Sequence, residues 1–333
     1  MKKLLEKSID KYLIMKNNFM KKNIIILNFL ILFTSLNAKE IIKKDKSEFQ
    51  ILDLIERVEP PNWWVGMKTR DLQLLIYGDS ISYLQPKIDN RNIKLKSIEN
   101  VDNKNYIFLN ISVSKNAKPG VVEIKFYDGD NLIDKYDFNL KSRQSNAENI
   151  QGFNTSDVMY LITPDRYSNG DPSNDDVEDM RERPDREDDF GLHGGDIKGV
   201  IDNLDYIKEM GFTTVWLNPV LENNMERASY HGYSTTDYYK IDPRFGTNEL
   251  FKELGLKAKE MNVKLVMDMI PNHCGSFHWF FIDPPMKNWF NNQSEFKQTT
   301  HRRHTVQDIY ASEIDKKEHA DGWFVETMPD LNQ

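Results

Sequence analysis

Length and composition set the first limits on this protein. The chain has 333 residues, 39% of them hydrophobic and 29% charged, which suffices for about two globular domains. Its formal net charge of −8 argues against a nucleic-acid partner or an anionic membrane surface. Cys274 is the only cysteine, which excludes a disulfide within the chain.

Residues 1–38 are predicted to be a signal peptide or leader. Met20-Lys21-Lys22 is a short basic start, residues 24–33 are apolar apart from Asn28, and Ala38 offers a small residue for cleavage. The apolar run is too short to span a bilayer comfortably, so a signal peptide is favoured over a transmembrane helix. This predicts an exported protein, periplasmic or secreted, without a stable membrane anchor. Whether translation starts at Met1 or at Met20 stays open.

Residues 39–143 have the pattern of a small antiparallel β-sandwich of immunoglobulin type. Alternating segments at 72–77, 106–113, 121–127 and 132–140 predict strands, and residues 128–131 predict a hairpin turn. The domain has no cluster of carboxylates and histidines, so we expect a binding or packing role. Trp63 and Trp64 are adjacent in a strand, so at most one should face outward to stack on a sugar.

After a polar linker at residues 144–156, the pattern of residues 157–276 changes to alternating strands and helices. Strands are predicted at 158–163, 213–217 and 265–270, and helices at 200–210 and 250–261, the first ended by Gly211. Repeated βα units imply a parallel sheet. The apolar residues 265–267 predict a strand buried on both faces. Residues 277–333 are irregular, which in a long segment after a barrel strand is usually functional.

Three groups of polar residues are candidate sites. The loop at 169–175, followed by His193-Gly194-Gly195-Asp196, carries hard oxygen ligands of the kind that Ca²⁺ requires. Its candidate ligands are the side chains of Asn169, Asp171, Asn174, Asp175 and Asp196 and a backbone carbonyl near Gly194. The spacing is not that of an EF-hand. The alternative is a polar turn beside an acidic, solvated loop at residues 175–189.

The other two groups follow the second and third predicted strands. Tyr230-His231-Gly232-Tyr233 lies in the loop after the second strand, where an aromatic ring and an imidazole suit a sugar. Asp268, Asn272 and His273 follow the third strand within six residues. The alternatives are a packed Tyr and His in a long loop, and an ordinary strand that ends in a polar turn.

Five motifs in sequence order resemble the α-amylase superfamily of glycoside hydrolases. They are residues 163–167, the Asn/Asp loop of residues 169–175, residues 230–233, residues 268–273 and Met328-Pro329-Asp330-Leu331-Asn332. The sandwich that begins at Val58 resembles the N-terminal domain of periplasmic neopullulanases and cyclomaltodextrinases. The resemblance implies a (β/α)₈ barrel with a domain inserted after strand three, here residues 277–333, truncated. It also implies bound calcium and retaining hydrolysis of α-1,4-glucans such as maltooligosaccharides, cyclodextrins and pullulan. It places His231, Tyr233 and His273 around the sugar and makes Asp268 a supporting residue.

The sequence departs from the family in one respect. The family's three catalytic carboxylates follow strands four, five and seven, so here they are expected downstream of Gln333. We therefore interpret the chain as an N-terminal fragment that is inactive alone. Two classes stay open: an enzyme whose catalytic half is absent from this chain, and a non-catalytic glucan-binding protein. A homo-oligomer formed through the N-terminal domain also stays open.

Overall fold

The computed structural model describes residues 53–143 and 152–332. The predicted leader, residues 1–38, and most of the predicted linker, residues 144–156, lie outside these ranges. The described residues belong to one compact unit, Ile51–Gln333. None of the helices in the described part of the chain is long and apolar enough to cross a membrane.

The N-terminal part consists of two four-stranded sheets. The strands are β1 (Arg57–Glu59), β2 (Asn62–Trp64), β3 (Asp71–Tyr77), β4 (Gln85–Lys87), β5 (Ile93–Asn100), β6 (Tyr106–Val113), β7 (Gly120–Asp128) and β8 (Asn131–Lys141). One sheet has the order β1-β3-β6-β5 and the other the order β2-β8-β7-β4. The four predicted strands and the turn between β7 and β8 are confirmed.

Alternating apolar residues of both sheets share one core. From the first sheet it contains Ile76, Ile107 and Leu109, and from the second Ile124 and Phe126, all fully buried. Period-2 alternation explains why these side chains lie on the inner face of each sheet. The immunoglobulin type of this arrangement stays a prediction.

One strand pair differs from the predicted antiparallel sandwich. β2 pairs with β8 in parallel, Trp63 opposite Leu140. Only Pro60 and Pro61 separate β1 from β2, yet the two strands belong to different sheets. The chain therefore crosses to the second sheet at these prolines and there runs in the same direction as β8.

The two tryptophans of β2 lie in different surroundings. Trp63 packs against the sandwich core, whereas Trp64 is 38% exposed. Both line an open cavity of about 500 Å³ whose wall also includes Lys68, Arg70 and Lys115. The expectation that at most one of the two side chains faces solvent is confirmed.

The elements in the second part of the chain are β9 (Met159–Ile162), α1 (Ile197–Asp202), α2 (Leu204–Glu209), β10 (Thr214–Leu217), β11 (Leu221–Glu222), β12 (Asp237–Ile241), α3 (Asn248–Glu260) and β13 (Lys264–Met267). Three of the strands form a parallel sheet in the order β13-β10-β9. The helices bury Val200, Ile207 and Leu254 against the sheet residues Val215 and Leu217. The short antiparallel pair β11–β12 was not predicted.

The helix predicted at residues 200–210 is interrupted. α1 and α2 are separated at Asn203, whose Nδ2 donates to the Gly199 carbonyl at 2.8 Å. This contact caps the end of α1, because an asparagine side chain competes with backbone hydrogen bonds of the helix. Gly211 adopts a φ of +87° and ends α2 as predicted.

The third strand of this sheet is less buried than the sequence predicts. All four residues of β13 are of intermediate exposure, and the strand ends at Met267 rather than at residue 270. The prediction of a strand buried on both faces is wrong for this structure, because β13 is the edge of the described sheet. It has a neighbouring strand, β10, on one side only.

The segment after His273 packs on the outer face of the first sandwich sheet. It contains the short helices α4 (Trp279–Ile282), α5 (His304–Gln307) and α6 (Glu313–Ala320). Trp279 and Trp289 contact the ring cluster of Tyr77, Tyr106 and Phe108. This contact joins the two parts of the chain. That residues 277–333 form an inserted domain stays a prediction.

Candidate sugar-binding site

The parallel strands bring three predicted motifs to one edge of the sheet. Because β9, β10 and β13 run in the same direction, the residues that follow them meet at the carboxyl edge. Asp268 follows β13 directly, and the loop after β10 returns Tyr233 to the same place. Tyr233 Oη donates to Asp268 Oδ2 at 3.2 Å. A second donor, Trp216 Nε1 at the end of β10, lies 3.3 Å from the same oxygen.

Two half-buried histidines flank Tyr233. The Tyr233 backbone N–H donates to His231 Nδ1 at 2.9 Å, and His273 Nε2 lies 3.0 Å from the Tyr233 carbonyl. Burial lowers the pKa of both imidazoles below the usual 6.5, so both are neutral at pH 7.

The hydrogen bonds assign the tautomers of these neutral rings. His231 accepts at Nδ1 and therefore carries its proton on Nε2, whereas His273 donates from Nε2 and keeps Nδ1 as an acceptor. One ring thus offers a donor and the other an acceptor, a pair that suits the hydroxyls of a sugar.

The Met328–Asn332 motif packs against the tip of the third strand. The backbone of Asp330 forms an isolated antiparallel β-bridge with that of His273. The two side-chain oxygens of Asp330 accept from Asn272 Nδ2 at 2.6 Å and from Asn291 Nδ2 at 2.8 Å. The Asp330 side chain is buried, and burial raises its pKa. Tyr238 Oη also donates to the His273 carbonyl at 2.6 Å. The backbone around His273 is therefore held from both sides.

The Asn/Asp loop brings two of its predicted calcium ligands, Asn169 and Asp175, together beside a third, Gly194. Asn169 Nδ2 donates to both carboxylate oxygens of Asp175, at 2.7 and 3.0 Å. A Cβ at Gly194 would lie 2.8 Å from that same carboxylate, so only glycine fits there. The Oδ1 atoms of Asn169 and Asn174 are buried and have no hydrogen-bond partner. Two amide oxygens without a partner and a carboxylate in one loop are oxygen donors of the kind that Ca²⁺ takes.

The other two predicted ligands have structural partners. The oxygens of Asp196 accept from the backbone N–H groups of Gly170, Asp171 and Gly199, and Asp171 Oδ1 accepts from Ser173. Among the residues that the structure describes, no three His, Cys, Asp or Glu side chains converge as metal ligands. The donors that fit a cation are thus mainly amide oxygens.

Three residues of this region had no predicted role. Trp216 lies near the end of a predicted strand, and Asp330 lies within a predicted motif. For both residues, position along the chain was a usable signal. Glu182 is different, because the sequence offers no reason to separate it from the other acids of the loop at 175–189. In the structure it is buried, whereas the other acids of that loop are partly or fully exposed.

The parallel βα sheet carries polar residues at the carboxyl ends of its strands, which is where proteins of the βα-barrel class have their sites. The family model described as "Alpha amylase, catalytic domain" matches residues 161–332, just over half of the chain. The chain belongs to this α-amylase family. A second model, "Cyclomaltodextrinase, N-terminal", matches residues 57–144.

Several characterised proteins are similar to parts of this chain. The β/α-amylase of Paenibacillus polymyxa is 44% identical over 119 residues, 36% of this chain and 10% of that protein. The cyclomaltodextrinase of Thermoanaerobacter pseudethanolicus is 39% identical over 148 residues, 41% of this chain and 24% of that protein. Neopullulanase 2 of Thermoactinomyces vulgaris is 38% identical over 146 residues, 42% and 23% of the respective chains. In each case the match spans a quarter or less of the relative.

Among solved structures, an Anoxybacillus α-amylase is 38% identical, with a TM-score of 0.41. The match covers 53% of this chain and 34% of that protein. The α-amylase of Geobacillus thermoleovorans, solved in complex with acarbose, is 36% identical, with a TM-score of 0.40.

Proposed function

We propose that this chain forms the sugar-binding part of a retaining hydrolase of α-1,4-glucans. The observation that carries the proposal is the hydrogen-bonded group of His231, Tyr233, Asp268 and His273 at the carboxyl edge of the sheet. The names of the relatives, cyclomaltodextrinase and neopullulanase, favour cyclodextrins and pullulan, together with maltooligosaccharides, as substrates.

In this proposal the four residues bind and orient one glucose unit. His231 donates from Nε2 to one sugar hydroxyl, and His273 accepts at Nδ1 from another. The Tyr233 ring stacks on the sugar, and its hydroxyl is held by Asp268. Burial and the adjacent Asp268 carboxylate raise the pKa of Tyr233, so the phenol stays protonated and remains a donor.

The chain alone is expected to bind without hydrolysing. Retaining hydrolysis needs a nucleophilic carboxylate and an acid about 5 Å apart across the glycosidic bond. Asp268 accepts from Tyr233 and Trp216, and both oxygens of Asp330 accept from asparagines. These hydrogen bonds favour a supporting role for both carboxylates. The alternative is a non-catalytic glucan-binding protein. Both possibilities predict no hydrolysis by this chain, so release of reducing sugar by the purified chain would refute both.

We also propose that Ca²⁺ binds at the Asn169 loop. The residues that would hold it are Asn169, Asn174 and Asp175 through side-chain oxygens and Gly194 through its carbonyl. A bound cation there would fix the loop between β9 and α1 and leave the chemistry of the sugar site to other groups. The support is the pair of buried amide oxygens without a partner.

Export remains part of the proposal. It rests on the basic start and apolar run of residues 1–38. N-terminal sequencing of the mature protein is expected to find a start close to residue 39. A cytoplasmic protein that retains Met1 or Met20 would contradict export.

Isothermal titration of the full chain with maltoheptaose tests the binding function. Wild-type protein is expected to bind saturably, and His231→Ala to bind roughly 5- to 30-fold more weakly, since a lost hydrogen bond in a buried site costs about 1–2 kcal/mol. His304→Ala, which changes an exposed histidine of α5, is the matched control. Absence of binding by folded wild-type protein would refute the proposal.

A further inference from the structure

The turn that carries His231 has an unusual beginning. Residues Ser229–His231 form one 3₁₀ turn, and the residue before it, Ala228, adopts a left-handed φ of +61°. Left-handed backbone is uncommon for a residue other than glycine, asparagine or aspartate. Alanine also has no side-chain oxygen with which to satisfy the first N–H groups of the turn. The conformation therefore needs support from elsewhere in the chain.

Glu182 supplies that support from the loop between β9 and α1. Its Oε1 accepts from the Ala228 N–H at 2.9 Å, and its Oε2 accepts from the Ser229 N–H at 2.7 Å. The Glu182 side chain is 8% exposed. A buried carboxylate is costly unless both of its oxygens are hydrogen-bonded, and the two N–H groups meet that requirement.

Glu182 is itself held by a buried ion pair. The Glu182 carbonyl accepts from Arg244 Nη1 at 3.3 Å. Arg244 and Asp242 have side-chain exposures of 3% and 0% and are joined by two hydrogen bonds, from Nε at 2.9 Å and from Nη2 at 2.8 Å. The chain at Glu182 therefore has little freedom to withdraw from the turn.

We propose that Glu182 is a positioning residue that fixes His231 in the sugar-binding site. It acts through two backbone N–H groups at the start of the turn rather than by contact with the sugar. The inference rests on the proposed function for its consequence, glucan binding, but not for the link between Glu182 and His231.

The charge of Glu182 gives this link a measurable signature. Burial lowers the pKa of His231, the Glu182 carboxylate opposes that effect, and His273 adds to it. Removing the negative charge at Glu182 must therefore lower the pKa of His231 further. The midpoint of the His231 titration thus reports that Glu182 and His231 are close in the folded protein, and the affinity for a glucan reports whether His231 stays in position.

Histidine-selective NMR titration of the full chain tests the proposal, with the His231 resonance assigned by its loss in His231→Ala. In Glu182→Gln the midpoint of His231 is expected to fall below the wild-type value, and the affinity for maltoheptaose to fall with it. Glu187→Gln, a change of an exposed acid in the same loop, should match wild type in both measurements. An unchanged His231 midpoint in folded Glu182→Gln would overturn the proposal.

A shorter carboxylate separates charge from reach. Glu182→Asp keeps the negative charge but cannot reach both N–H groups, so we expect a smaller change in the His231 midpoint and a clear loss of maltoheptaose affinity. This variant also carries the test if Glu182→Gln does not fold, and wild-type behaviour in both measurements would then overturn the proposal. If wild-type protein binds no maltoheptaose, the proposed function fails, while the His231 titration still tests the link between Glu182 and His231.

Discussion

Among the ion pairs of the described residues, the pair of Arg244 and Asp242 is the most deeply buried. Besides Asp242, the Arg244 guanidinium donates to the carbonyls of Glu182 and Asn223, and Asp242 Oδ2 accepts from the Asn223 N–H. Breaking such a pair leaves an uncompensated charge in a buried site. At the scale of single residues, this makes Arg244 a point where a small change should have a large effect.

Arg244→Met is therefore expected to destabilise the protein by about 3–5 kcal/mol, because Asp242 and two carbonyls lose their donors at once. Arg183→Met is the control, since Arg183 and Asp176 form a surface pair with side chains about half exposed, worth at most about 1 kcal/mol. Urea unfolding gives both values. Equal shifts of the two unfolding midpoints would contradict this assignment.

At the scale of elements, β1 contacts β12 through a group of charges. Arg57 Nη1 lies 2.9 Å from Asp237 Oδ2 and 3.9 Å from Glu59 Oε1. Burial raises the pKa of Glu59 to about 7, Arg57 opposes the shift, and Asp237 adds to it. The folded protein thus holds a proton on Glu59 that an unfolded chain releases near pH 4.5.

The sign of the resulting pH dependence follows from this difference. The native state binds the proton more tightly, so the contribution of Glu59 is fully present below pH 4.5 and is lost as the pH rises to about 7. In Glu59→Gln this loss disappears, and between those pH values the variant is expected to gain on the order of 3 kcal/mol relative to wild type.

Urea unfolding from pH 4.5 to pH 8 measures this gain, with Glu226→Gln as the control at an exposed acid. The control should follow the wild-type curve throughout. Parallel curves for Glu59→Gln and wild type would show that Glu59 does not titrate in this range.

The elements that the sequence predicts well are those with local signals. β7 alternates clearly between buried and more exposed residues, and the turn between β7 and β8 carries Gly129 at a φ of +58°. β1, β2 and β4 have three residues each, too few for a periodic pattern. β5 is an edge strand with a bulge near Leu95 and mostly exposed residues, which hides its alternation.

The candidate site shows the same division between local and long-range information. The resemblance of its motifs to the α-amylase superfamily pointed to His231, Tyr233, Asp268 and His273, and the parallel sheet explains why they meet. Glu182 was not identifiable, because its role depends on a contact with Ala228 and Ser229 more than forty residues away along the chain. Burial is what distinguishes it from the neighbouring acids, and burial is set by the tertiary fold.

At the scale of the whole molecule, the calcium proposal predicts a change in thermal stability. An ion that binds only the folded state raises the free energy of unfolding by an amount that grows with the logarithm of the ion concentration, about 2.7 kcal/mol at one hundred times the dissociation constant, and thereby raises the melting temperature. Thermal unfolding with Ca²⁺ and with a chelator measures it, and Asn169→Ala should lose the response. An unchanged melting temperature, with no calcium found by elemental analysis, would contradict the proposal.

We expect an α-glucan to bind at the carboxyl edge of the β13-β10-β9 sheet. Histidine-selective NMR of the full chain during titration with maltoheptaose tests it most directly, because two of the seven histidines lie at the proposed site. We expect saturable shifts of the His231 and His273 resonances, whereas the resonance of the exposed His304 should not shift. Saturable shifts confined to other histidines, or no shift of His231 and His273 at saturating glucan, would contradict it.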